Sequence, residues 1–194
     1  MLIALLSHLF SFSASACAPE PLRLTTPASA LAPAPVVQFT LERSTLIAQF
    51  HVTSGDVYGK SMLGPHEYPY QFDVVEVFVS VEGSLPYYEF ELTPFGQTLE
   101  VRVQDPHKPF EAGLHLGVET RIETVSDGWN AEFRIPLERL GWKGVPSRIV
   151  GNAFAILGAK SHRRYYSRSL PSQAKPSFHR PEFFRSLVPC SIRP

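Results

Sequence analysis

The sequence predicts an all-β domain, an antiparallel β-sandwich or jelly roll with at most one or two short helical turns, on three observations. Short apolar alternations recur along the chain, separated by Gly, Pro, Asp and Ser, with no long helical pattern between them. Fourteen Phe and seven Tyr favour pleated surfaces, where flat rings lie well against their neighbours. Eighteen Pro remove backbone donors and disfavour helix interiors. With 194 residues, 44% hydrophobic and 19% charged, the chain can bury one core. Lys plus Arg equals Asp plus Glu at 18 each, so there is no cationic excess to neutralise phosphates, which argues against a nucleic-acid partner.

Residues Met1 to Ala18, MLIALLSHLFSFSASACA, form an apolar run followed by small residues, the pattern of a secretory signal. Ala14-Ser15-Ala16 and Ala16-Cys17-Ala18 both fit a small-x-small cleavage site, although no Lys or Arg precedes the run and His8 interrupts it. The run is too short for a membrane span. Export to the periplasm, the cell surface or the medium is therefore expected. Three fates stay open for Cys17 and Cys190: a lipid anchor at Cys17, whose preceding residues resemble a lipobox without its usual Leu; loss of Cys17 on cleavage; or a disulfide joining the termini. Residues 19–35, rich in Pro and Ala, read as a tether, and the folded domain is expected over 36–188.

Leu46, Ala48, Phe50 and Val52 alternate with Ile47, Gln49 and His51, the period of a strand with one buried face. Further strands are predicted at 73–82, 86–93, 98–104, 114–124, 129–135 and 149–159, with a short helical segment at 136–140. In Asp73-Val74-Val75-Glu76-Val77-Phe78-Val79 both faces are apolar, which predicts a central strand covered on both sides. Glu76 breaks that pattern. A carboxylate among Val74 and Phe78 costs several kcal/mol unless a partner meets it, so it reads either as a structural anchor or as a ligand contact on the floor of a cleft. A four-residue loop at Pro94 to Gln97 would set Phe90 opposite Val101 and Leu92 opposite Leu99, making one face apolar and pairing Glu89 with Arg102 on the other.

Taken in order, Asp73 to Val79, Tyr87-Tyr88-Glu89-Phe90-Glu91-Leu92-Thr93-Pro94-Phe95-Gly96 and Gly128-Trp129-Asn130-Ala131-Glu132-Phe133-Arg134-Ile135-Pro136-Leu137 resemble the family 9 carbohydrate-binding modules and their DOMON-like relatives. Gly151 to Phe154, Arg163 to Ser167 and Phe178 to Phe184 are similar to the closing segments of such domains, so the likeness covers about residues 40–187. The resemblance implies a β-sandwich that binds mono- or oligosaccharides, often beside glycoside hydrolases, by aromatic platforms helped by an acid and an arginine. Its acid falls on Glu76, its first platform on Tyr70, and its arginine on Arg102, with Glu89 in support. Where the family often carries a late Trp, this chain has Tyr166-Ser167-Arg168-Ser169-Leu170-Pro171; Tyr165, Tyr166 or Phe178 would have to serve instead, and Tyr166 completes the expected site. A sandwich that has lost its sugar site and acts in structure or protein interaction is the alternative.

Other chemistry finds little support. Trp129 alternates with Ala131, Phe133 and Ile135 and reads as core, while Trp142 is expected to cap the sandwich edge. His107, His115, His162 and His179 lack the paired spacing of a zinc site. No cofactor is called for, although calcium, which the resemblance implies as a structural ion, could be held by loop aspartates Asp56, Asp105 and Asp127, residues that more often cap turns. Gly55 to Ser61 is one residue short of a phosphate loop. A haem reading would need axial Met and His, and the chain has only Met1 and Met62. No nucleophile elbow is present, and Glu76 with Glu89 is weak evidence for a glycosidase, so the sequence predicts a non-catalytic domain.

Overall fold

Strand periodicity with one apolar face per sheet demands a second sheet to cover it. A computed structural model, which describes residues 18–26, 33–81, 85–144, 148–159 and 162–188, shows that arrangement. Thirteen strands are assigned among these residues: β1 (Glu20–Pro21), β2 (Arg23–Leu24), β3 (Val36–Glu42), β4 (Thr45–Thr53), β5 (Val74–Val81), β6 (Tyr87–Leu92), β7 (Thr98–Val103), β8 (Glu111–Ala112), β9 (Glu119–Val125), β10 (Gly128–Pro136), β11 (Ile149–Leu157), β12 (Arg164–Ser167) and β13 (Arg185–Ser186). One sheet runs β1-β3-β4-β10-β9. The other runs β2-β12-β11-β5-β6-β7-β8, with β13 also pairing β11. Among the described residues every strand pairing is antiparallel.

Trp129, Ala131, Phe133 and Ile135 of β10 lie opposite Val52, Phe50, Ala48 and Leu46 of β4, and all eight are buried. They meet Val75, Val77 and Val79 of β5 and Tyr88, Phe90 and Leu92 of β6 in one interlayer core. Trp129 is thus core, as its alternation predicted, and Trp142 packs against the edge of this core with its ring edge-on to Tyr88. Gly128 has a φ of 158°, and a Cβ there would lie 1.9 Å from the Val52 carbonyl oxygen, so only glycine admits the close approach of β4.

β5 sits in the middle of its sheet and is covered on both faces, as predicted. Its other face, Val74 and Phe78, joins Tyr87, Val101, Phe154 and Phe178 in a second apolar cluster outside the sandwich. The covering chain is the segment after β12, which has no strand period of its own until β13.

Four expectations need correction. The described part of the expected 19–35 tether is not free: β1 pairs with β3 and β2 with β12, Leu22 is buried, and the fold therefore includes chain before Val36. The hairpin register is displaced by one residue, with Leu92 opposite Thr98 and Glu89 opposite Val101. Its loop, Thr93 to Gln97, is one residue longer than expected and is closed by the Thr93 N–H to the Gln97 carbonyl and the Gly96 N–H to the Thr93 carbonyl. The strand expected at 114–124 begins only at Glu119, and Arg164–Ser167 forms a strand that the apolar pattern did not reveal. Cys17, Cys190 and the expected signal segment through Cys17 lie outside the described residues.

Arg168 ties the two layers together. It donates to both carboxylate oxygens of Glu20 at 3.0 and 2.9 Å and to the Ser186 carbonyl at 2.9 Å, and it stands over the Phe39 ring. The guanidinium is nearly buried, so removing it strands the Ser186 carbonyl and uncovers Phe39, while the half-exposed Glu20 carboxylate turns to water. Arg168→Ala should lower unfolding free energy by about 2 kcal/mol in urea titrations; a loss under a few tenths would show that the Glu20 segment contributes nothing.

Candidate functional site: a cavity with an acidic floor

The displaced hairpin register decides what the outer face of the larger sheet carries. Because side chains alternate, placing Tyr88, Phe90 and Leu92 in the interlayer core sends Tyr87, Glu89 and Glu91 outward beside Glu76 and Phe78. Glu76 is directly opposite Glu91 across the β5–β6 ladder, and Glu89 is opposite Phe78. One oxygen from each of Glu76, Glu89 and Glu91 lies within 4.8 Å of the others. These carboxyls form the floor of an open cavity of about 620 Å³.

The walls are largely aromatic. Tyr68 precedes and Tyr70 lies within a 3-10 turn at Pro69–Gln71, and their rings stack at 5.5 Å with planes 3° apart. Pro69 starts this turn, and the Gln71 side chain accepts the Tyr68 N–H at 2.9 Å to close it. The turn is pinned from two sides: the Tyr70 N–H donates to Glu91 at 3.0 Å, and Arg163 donates to the carbonyls of Tyr70, Gln71 and Phe72. Tyr165 of β12, Phe110, Phe178 and His179 complete the enclosure. Phe178 stacks on Phe154 at 4.2 Å, and the Tyr87 hydroxyl lies 2.9 Å from His179 Nδ1.

Electrostatics follow from this burial. Desolvation raises Glu89 to about 7, and it pushes Glu76 and Glu91 well above the ordinary carboxylate range, each reinforced by neighbouring carboxylate charge. Burial lowers His179 to about 4, so at neutral pH the ring is uncharged although Nε2 is 3.9 Å from Glu89. No Lys or Arg among the described residues lines the cavity.

Of the five residues expected in the site, three converge there: Tyr70, Glu76 and Glu89. Arg102 and Tyr166 do not, and both expectations are corrected. Arg102 is on the opposite face of β7 from Val101; it pairs with Glu111 at 3.6 Å and lines a separate groove with Tyr88 and Trp142. Tyr166 is buried in the interlayer core, because β12 turns Tyr165, and not Tyr166, outward. Glu91, Tyr68, Phe110 and His179 were missed. The parity that buries Phe90 is the signal that would have placed Glu91 beside Glu89. Of the loop aspartates, Asp105 accepts the His107 N–H and Asp127 lies near His51, the turn and surface roles expected of most such residues. Met62 is 81% exposed and does not line the cavity.

No family model matches the sequence. Among solved structures, the chain is similar to a Bacteroides uniformis protein to which carbohydrate binding is ascribed, with a TM-score of 0.66 at 19% identity over 79% of this chain and 77% of that one. It is also similar to a family 9 carbohydrate-binding module from Caldicellulosiruptor kristjanssonii in complex with cellotriose, TM-score 0.57 at 15% identity, covering 89% and 87%. The fold is that of the family 9 carbohydrate-binding modules. A second structure of a family 9 module from the same organism, holding glucose, gives a TM-score of 0.56 at 16% identity over 84% and 81%. Among curated proteins, the chain is similar to the UPF0462 protein C4orf33 homolog of Danio rerio, 30% identical over 130 residues, 63% of this chain and 62% of that protein. Homo sapiens UPF0462 protein C4orf33 is 28% identical over 125 residues, 61% and 59% of the two chains. The chain spans about three fifths of the length of these curated relatives. Within the family 9 fold, the acidic cavity occupies the outer face of the larger sheet.

Proposed function

We propose that this domain binds mono- or oligosaccharides without transforming them. The observation that carries the reading is the pair of stacked, half-exposed rings of Tyr68 and Tyr70 standing over hydrogen-bonding carboxyls in a cavity large enough for one or two sugar rings. Aromatic faces suit the apolar C–H face of a pyranose, while carboxyls bond its hydroxyls. The solved relatives bound to cellotriose and glucose support the choice of ligand class.

The geometry favours binding over hydrolysis. Glycoside cleavage requires two carboxyls flanking the scissile bond, about 5–5.5 Å apart in retaining enzymes and wider in inverting ones. Glu76, Glu89 and Glu91 project from neighbouring strands of one face, so all three lie on the same side of any bound ligand. The domain is further proposed to act outside the cytoplasm, beside an enzyme that degrades polysaccharide, as its N-terminal pattern and fold suggest. No helix among the described residues is long and apolar enough to cross a membrane.

A glycan array probed with the purified chain, followed by calorimetry on each hit, tests the reading. Tyr70→Ala should weaken the best hit about tenfold, the scale of one lost ring contact. Unchanged affinity would remove Tyr70 from the site. The inward turn of Tyr166 and the displacement of Arg102 favour a second reading, a sandwich serving protein interaction, and an array without hits would select it.

A further inference from the structure

Resting on the carbohydrate reading and sharpening it, we propose that the cavity selects a ligand carrying a protonated amine, which among carbohydrates means an amino sugar with its amino group free. Three acids occupy the floor, and no cationic side chain among the described residues lines the cavity. Arg163, the nearest guanidinium, is committed to three carbonyls of the Tyr70 turn and stands over Tyr165. His179 is held against Phe78 and Phe110 and is bonded to Tyr87. Glu76 is 2% exposed, and Arg163 acts on its carboxyl through its field.

A carboxyl that burial keeps protonated ionises when a counter-charge meets it, and a neutral sugar supplies hydrogen bonds without that charge. An ammonium supplies both, with three N–H donors for three carboxyls. Three oxygens no more than 4.8 Å apart fit within a circle of radius about 2.8 Å, the length of an N–H···O bond. The surrounding ring faces of Tyr68, Tyr70 and Phe110 also attract a cation. A bare calcium ion would fit less well, because it takes six to eight oxygens and the walls here are mainly aromatic and aliphatic carbon.

The test is calorimetry of the full chain at pH 6.5 with D-glucosamine, D-glucose and N-acetyl-D-glucosamine, with calcium chloride as a fourth titrant. Glucosamine should bind at least tenfold tighter than either neutral sugar. Glu76→Gln, which removes the group that can ionise beside an ammonium while keeping the shape, should cost glucosamine at least fivefold more affinity than it costs glucose. Lowering the pH to 5.0 should weaken glucosamine several-fold and leave glucose unchanged, since protons then compete for Glu76, Glu89 and Glu91. The other titratable groups facing these carboxyls are Tyr68, Tyr70, Tyr87, Tyr165 and His179, with Arg163 acting on Glu76 through its field; burial raises Tyr70 and Tyr87 and lowers His179 to about 4, so these three stay largely uncharged between pH 5.0 and 6.5. Glucose binding as tightly as glucosamine would overturn the amine preference and leave the carbohydrate reading standing. Heat from calcium chloride without any preference for glucosamine would also overturn it, in favour of a metal site. Binding of none of the three sugars, with an empty glycan array, would overturn both.

Discussion

Phe154→Ala should destabilise the domain by about 3–5 kcal/mol, the usual cost of truncating a fully buried phenylalanine. Phe154 is wholly buried on the outer face of β11, opposite Glu76 across the β5–β11 ladder. Its ring lies edge-on to Phe78 at 4.7 Å and stacks on Phe178 at 4.2 Å. It therefore joins the cavity floor to the covering segment that bears Phe178 and His179. Truncation should loosen that segment as well as lower stability, and hydrogen exchange of the amides around Phe178 should rise before global unfolding. A loss below about 1 kcal/mol in urea, with exchange unchanged, would mean that the second apolar cluster is not a cooperative part of the fold.

Unfolding free energy should fall as pH rises from about 5 to 8. The carboxyls of Glu76, Glu89 and Glu91 hold protons more tightly when folded than when unfolded, so unfolding releases protons and alkaline conditions favour it. The stabilisation is complete below the ordinary glutamate value and is lost as pH climbs through the folded values, which for Glu89 is about 7. Glu89 alone accounts for roughly 3 kcal/mol across that window, at 1.36 kcal/mol per pH unit. His179 works in the opposite direction: lowered to about 4, it stays neutral in the fold and costs stability as pH falls from its ordinary value toward 4. It offsets one carboxyl between about pH 4.5 and 6.5, so the net decline comes from the other two and steepens above pH 6.5. Chemical denaturation at half-unit intervals measures the slope. Glu89→Gln should flatten it, and a wild-type profile that rises toward pH 8 would show that the three acids are ionised in the empty cavity.

The strands were legible wherever a face had to be dry. The alternation in β4 and β10, and the doubly apolar run of β5, left only one arrangement of side chains compatible with burial. Glu76 could be marked as anomalous for the same reason: a lone acid in an apolar run is conspicuous. The hairpin was misread because its register was chosen to gather Phe90, Leu92, Leu99 and Val101 on one apolar face, a sound rule for an ordinary half-buried pair. Here the rule fails, since β7 turns Leu99 and Val101 outward, and Glu89 and Glu91 share that face with them. Local rules are commonly broken where a ligand is meant to sit. Tyr165 and Tyr166 show a related limit, because consecutive tyrosines carry no mark of which one faces the core; only the pairing of Tyr166 with Ala155 settles it. The segment from Leu170 to Phe184 was opaque because it has no period, and its aromatics find their places only against a surface built by distant strands.

The short pairings of Glu20–Pro21 and Arg23–Leu24 reach beyond stability. Five residues of chain cross from the margin of one layer to the margin of the other, with Leu22 inserted between them and Arg168 clasping Glu20 from behind. Both margins would otherwise end in open ladders ready to recruit strands from another molecule. A recombinant boundary drawn at Val36, the obvious choice from composition, would strip a shield from each side at once and invite self-association.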